Sequence, residues 1–295
     1  MHKLCLSLNY RVITPLTSRL APRQAYSIIR YTGRIGKGFD KPSFRFNPPT
    51  TSKAIEALRT SLSLDGEKAR TVVRNFHLIE TRVLLEHTWL ARKKLDWLSQ
   101  MIDMEAISRL GAIIRERGPL LLVSAHTAYY FLIPWALKAL GIKISYVMGN
   151  PESEPHPHAL SGIESARALS HLIPVVFTND GNTVKRSADL LRQGYSLLII
   201  IDAPGYRSRG QLVRIFGNEV WIPLGCEWIH QGARTPVFSV FSHVENIAKP
   251  YRIAFCELAP ASRAIDLQRW AGDLECVVRE SPSSWLSWFY LDDMR

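Results

Sequence analysis

The sequence predicts an α/β fold with a largely parallel central sheet flanked by helices. Three observations predict it. Continuous apolar runs recur through the middle of the chain: LLLVS (120–124), KISYVM (143–148), IPVVF (173–177) and SLLIII (196–201). Stretches of helical patterning separate them. Glycines follow several of those stretches, at Gly141 and Gly194. Unbroken apolar runs suit strands covered on both faces, and strands alternating with helices form parallel sheets through right-handed crossovers.

The elements follow in order. Residues 1–39 carry seven basic side chains (Lys3, Arg11, Arg19, Arg23, Arg30, Arg34, Lys37) and no acid. Their apolar runs are too short for a spanning helix or a secretory signal. A basic amphipathic segment lying on an anionic membrane surface fits them; a mitochondrial transit peptide shares these features. Residues 40–53 (DKPSFRFNPPTTSK) are proline-rich and read as a linker. The chain therefore divides into a basic membrane-surface segment with its linker, 1–53, and an α/β domain, 54–295. Val72, Phe76, Ile79 and Val83 draw an apolar stripe down a helix. A second helix is expected over 104–116, ended by Gly118-Pro119.

The expected core then runs as strand 120–124, helix 131–140, strand 143–148, helix 160–171, strand 173–177, helix 183–193 and strand 196–201. Gly141 suits a left-handed C-cap. Beyond Asp202 come a polar loop, strand 211–216, a helix over 224–232, strands 236–243 and 251–258, and a helix over 264–280.

In an open parallel sheet, ligands sit outside the carboxyl ends of the strands. His126 follows LLLVS and Asp202 follows SLLIII, so adjacent strands would bring them to one edge. An imidazole can take a proton from an attacking hydroxyl, and works best when a carboxylate holds its other nitrogen. The same two residues would also serve as a core histidine and a turn cap. Lys185, Arg186, Arg192, Arg207, Arg209 and Arg214 flank Asp202 in sequence and would clamp phosphates or dock an acidic carrier, or form a charged rim.

Other motifs carry less. GRIGKG (33–38) lacks the spacing of a P-loop, and no glycine fingerprint follows the first strand, which disfavours a nucleotide-binding Rossmann protein. His156 and His158 sit in a proline-broken loop. There is no G-x-S-x-G elbow, which disfavours an acyl-enzyme route. Cys5, Cys226, Cys256 and Cys276 form no C-x-x-C pair and read as reduced, mostly buried thiols. The excess of 37 Lys+Arg over 26 Asp+Glu favours an anionic partner: lipid headgroups, an acidic carrier or nucleic acid.

Taken in order, RNFHLIETRVLLEHTWL (74–90), LLLVSAH (120–126), LLRQGYSLLIIIDAPG (190–205), IFGNEVWIPLGCEWIHQGARTPVFSVF (215–241) and SPSSWLSWFY (281–290) resemble the bacterial lipid A biosynthesis (lauroyl/myristoyl) acyltransferase family, within the wider lysophospholipid acyltransferase-like group. The resemblance implies a glycerolipid-acyltransferase-like fold and transfer of a fatty acyl group from an acyl carrier protein or coenzyme A thioester to a hydroxyl of a lipid or glycolipid. It implies His126 as the base, no cofactor and no metal. It also implies a place on the cytoplasmic face of a bacterial inner membrane, and lipid rather than nucleic acid as partner. The family's acid lies five positions after its histidine, where this chain has Phe131. Asp202 is the expected replacement, with Tyr129, Tyr130, Arg167, Arg207 and Arg209 expected around the substrate. The alternative is an acyltransferase-like fold retained to bind lipid or carrier without chemistry, with Tyr129, Tyr130 and Phe131 filling the space beside His126.

Overall fold

Four apolar runs form parallel strands: β1 (Leu121–Ser124), β2 (Ile144–Met148), β3 (Val175–Phe177) and β4 (Ser196–Ile200). The computed structural model describes residues 19–35, 48–91, 95–149, 173–178, 181–204 and 209–295. Two more strands follow a separate hairpin of β5 (Gly210–Ile215) and β6 (Asn218–Pro223): they are β7 (Val237–His243) and β8 (Arg252–Ala259). The six-stranded sheet has the order β3-β2-β4-β1-β7-β8. Its strands are parallel except β8, which runs antiparallel to β7. The fold is thus α/β with a mostly parallel, mixed sheet flanked by helices.

The longer helices among the described residues are α1 (Pro22–Ile35), α2 (Pro48–Leu62), α3 (Gly66–Ala91), α4 (Met104–Arg117), α5 (Leu132–Ala139), α6 (Thr183–Arg192), α7 (Gly225–Ala233) and α8 (Leu267–Glu280). Sequence chemistry sets their ends. Asp103 caps α4 by accepting from the backbone N–H of Glu105 and Ala106. Gly118, at φ +86°, stops it in a conformation that disfavours side chains.

Pleating divides the sheet's side chains between two cores. Leu121 and Val123 of β1, with Leu197 and Ile199 of β4, face α2, the first half of α3, α7, α8 and the hairpin. Leu122 and Leu198 face α1, α4, α5 and the second half of α3. Helix α3 therefore belongs to both cores.

Expectations for the linker and the cysteines are corrected. The linker over 40–53 ends in helix, because Pro48 and Pro49 stand in the first turn of α2, where a missing N–H costs nothing. Helix α2 runs on through positions 53 and 54, and its Ala54 and Leu58 are buried in the core. The hairpin's second strand, NEVWIP, was not expected. Phe216 and Gly217, both at positive φ, form the two-residue turn that folds it back. The cysteines are also less buried than expected: Cys226 is sealed in the core, Cys256 is half-buried and Cys276 is exposed. Burial pushes the Cys226 thiol up to about 12, with the Glu227 charge adding to it, which makes it inert. Helix 160–171, His156, His158 and Cys5 lie outside the described residues. So does GRIGKG from Gly36 onward, while Gly33–Ile35 close α1.

A buried ion pair fixes α3 to its surroundings. Arg82 and Glu86, one turn apart, have fully buried side chains and meet at 2.7 Å. Arg82 also donates to the carbonyls of Ile247 (3.0 Å), Lys249 (2.5 Å) and Met101 (3.3 Å). The rings of Tyr26 and Tyr251 lie 4.3 and 4.0 Å from its guanidinium carbon, and both hydroxyls donate to Glu86. Burial pushes the Glu86 carboxyl up, and the Arg82 charge and both tyrosine hydrogen bonds oppose it.

Breaking such a pair on one side strands a charge in the core. Glu86→Ala is expected to cost about 3–5 kcal/mol in urea unfolding. Tyr251→Phe, which removes a single donor, should cost about 1–2 kcal/mol. Equal losses in the two variants would contradict this account.

Candidate active site

His126 and Asp202 meet because β4 inserts between β2 and β1. Ser124 of β1 pairs with Ile200 of β4. Each functional residue lies two positions beyond its strand, so the register carries them out of the sheet side by side. The backbone N–H of Ile201 donates to the Ser124 carbonyl at 3.1 Å, holding the two ends together past the ladder.

Each Asp202 oxygen accepts two hydrogen bonds. Oδ1 takes the His126 backbone N–H and faces Nδ1 of the same ring, both at 2.8 Å. Oδ2 takes the Trp285 indole N–H at 2.9 Å and the Ser287 hydroxyl at 2.6 Å. The Asp202 side chain is wholly buried, whereas that of His126 is 28% exposed. A carboxylate facing Nδ1 places the ring hydrogen there and leaves Nε2 as the acceptor. The pair can therefore take up a proton at Nε2 and stabilise the resulting imidazolium.

The turn after β1 is strained and externally held. Ala128 has φ +39°, which costs a β-carbon some energy. Its N–H donates to the Ser284 carbonyl at 2.5 Å, and the Leu286 N–H donates to the His126 carbonyl at 2.9 Å. Ser242, at the end of β7, donates its hydroxyl to the Thr127 carbonyl at 2.7 Å. Short 3₁₀ turns, Pro282–Ser284 and Leu286–Phe289, supply most of these contacts.

The aromatic residues after His126 separate by role. The half-buried ring of Tyr130 stands edge-on to the imidazole, with centroids 5.4 Å apart. Tyr129 is 1% exposed and packs toward Tyr251 and Phe131. It is a core residue as folded. Phe131 packs at a tilt against Tyr130 (4.5 Å) and Tyr146 (5.2 Å) and is 7% exposed. Tyr146 shares a hydrogen bond with Tyr130; burial pushes its hydroxyl well above the usual phenol range.

The basic residues scatter. Arg167 and Arg207 lie outside the described residues. Arg209 is exposed just before β5. Lys185 and Arg186 stand in the first turn of α6, at the edge where β3 ends. Arg192 stands in the last turn of α6 and binds Asp189 (2.7 Å) and the Gly232 carbonyl (2.5 Å). Arg214 pairs with Glu219 at 3.4 Å. Sequence reasoning missed Trp285, Ser287 and Tyr146. The two tryptophans and serines of SPSSWLSWFY were the only available signal for the first pair.

Phe131→Asp would put a carboxylate at the family's position, but into an aromatic stack. It is expected to lower stability by about 3–5 kcal/mol through lost packing and a buried charge. Urea denaturation against the parent protein checks this, and a cost below 1 kcal/mol would contradict it. No family model matches this chain, and a search of curated proteins finds no match either.

Proposed function

We propose that the protein is an O-acyltransferase of the lysophospholipid acyltransferase-like kind, with His126 as general base and Asp202 orienting it. The observation that carries this reading is the 2.8 Å contact between Nδ1 and a buried, fully bonded carboxylate, on a histidine whose side chain is partly exposed. The resemblance of LLLVSAH and LLRQGYSLLIIIDAPG to the lipid A acyltransferases supports it. Here the acid comes from a neighbouring strand rather than from the next helical turn.

In the proposed reaction, Nε2 takes the proton of an acceptor hydroxyl as its oxygen attacks the thioester carbonyl. The tetrahedral intermediate then expels sulfur. The C–S bond breaks, an ester C–O bond remains, and the imidazolium returns its proton to the leaving thiolate. The products are the acylated lipid or glycolipid and the free thiol of acyl carrier protein or coenzyme A. Lys185, in the first turn of α6, and Arg209, just before β5, are exposed cations for an acidic donor.

General-base catalysis is worth about 10²–10⁴ in rate. His126→Ala and Asp202→Asn are each expected to lower acyl transfer to lipid acceptors by that factor, measured with radiolabelled acyl thioesters. The specific competitor is the binding module, which the aromatic stack beside His126 favours. Lipid or carrier binding by parent and variants alike, with transfer by none, would establish it instead.

The same reading places the protein on an anionic membrane surface, at the cytoplasmic face of a bacterial inner membrane. Among the described residues no helix is long and apolar enough to cross a membrane. Helix α1 docks through Ala25 and Tyr26 and leaves Arg23 and Ile28 exposed, with Arg19 exposed just before it. Binding to anionic vesicles is expected to weaken as salt rises, because exposed charges are screened. Flotation assays showing equal binding to neutral vesicles would overturn the membrane assignment.

A further inference from the structure

The tightest unexplained arrangement lies where the late 3₁₀ turns meet the sheet edge. Trp285 is wholly buried, and Ser287 and Asp202 are 2% and 1% exposed. A buried tryptophan usually finds a partner for its N–H, and a backbone carbonyl would serve. Trp288, three residues later and 2% exposed, takes that solution by donating to the Pro282 carbonyl at 2.9 Å. Trp285 instead donates to the one carboxylate that holds the candidate base. Ser287 reaches the same oxygen. Backbone bonds from Ser284 and Leu286 hold the His126 turn at the same time.

We propose that Trp285 and Ser287 are positioning residues for His126, acting through Asp202, so that residues 284–287 form a clasp that completes the dyad. The inference rests on His126 being the working base. The two donors on Oδ2 stop the carboxylate rotating, which keeps Oδ1 in line with Nδ1 and the backbone N–H. They also draw negative charge toward Oδ2. Without them, charge gathers on Oδ1, the imidazolium is held more firmly, and the neutral ring forms only at higher pH.

Diethyl pyrocarbonate tests this without any acyl donor, because it attacks the unprotonated imidazole. The rate of His126 modification is followed against pH by peptide mass spectrometry in the full chain. Ser287→Ala and Trp285→Phe are each expected to move the midpoint of that profile upward by about half a pH unit or more, and the double variant further. Trp288→Phe is the matched control. It removes a similarly buried indole, 4.7 Å from Trp285, whose N–H goes to the Pro282 carbonyl instead, and it should leave the midpoint in place. A midpoint unmoved in all variants, or moved equally by Trp288→Phe, overturns the clasp. Acyl transfer is measured in the same set. A shifted modification profile with no transfer by the parent retains the clasp and rejects the acyltransferase reading.

Discussion

One buried carboxylate organises the functional edge of this molecule. Asp202 accepts from a backbone N–H, an imidazole, an indole and a hydroxyl, drawn from the turn after β1 and from residues 285–287. A carboxylate sealed from water must find such partners or lose the free energy of its hydration. That requirement explains several features together: the register that sets Ser124 against Ile200, the strained turn at Ala128, and the late 3₁₀ turns laid across the sheet edge.

The buried ion pair Arg82–Glu86 is built differently. Its arginine is enclosed by three carbonyls and two tyrosine rings, and no side chain of the pair reaches solvent. Asp202 has the same completeness of bonding, but one of its partners is exposed. The contrast separates a charge that ties helices together from one that presents a reactive nitrogen. Burial alone does not distinguish them; the exposure of the bonded partner does.

The sheet was legible because its strands are continuous apolar runs bounded by glycines, and β1, β2, β3 and β4 fall within the expected ranges. His126 and Asp202 were legible as strand-end residues. Their adjacency was not, since β4's place between β2 and β1 is a property of topology rather than of any local pattern. Trp285 and Ser287 were harder still. Their bonds to Asp202 span 83 and 85 positions, and a tryptophan in an apolar context reads equally well as packing. The linker was misread because two prolines signal a loop in most settings and a helix start in this one. The hairpin was half-seen because its turn is Phe216-Gly217, with an aromatic residue where asparagine or aspartate usually gives the cue.

Sequence distance also orders events in time. Synthesis runs from the N-terminus, so the His126 turn and the Asp202 strand leave the ribosome well before the serines and tryptophans that steady them. Until residues 284–287 arrive, the Ala128 amide lacks its Ser284 carbonyl and the carboxylate lacks half its donors. A nascent chain can thus shape most of its sheet while its reactive corner stays loose, and the competent geometry belongs only to molecules translated past that stretch.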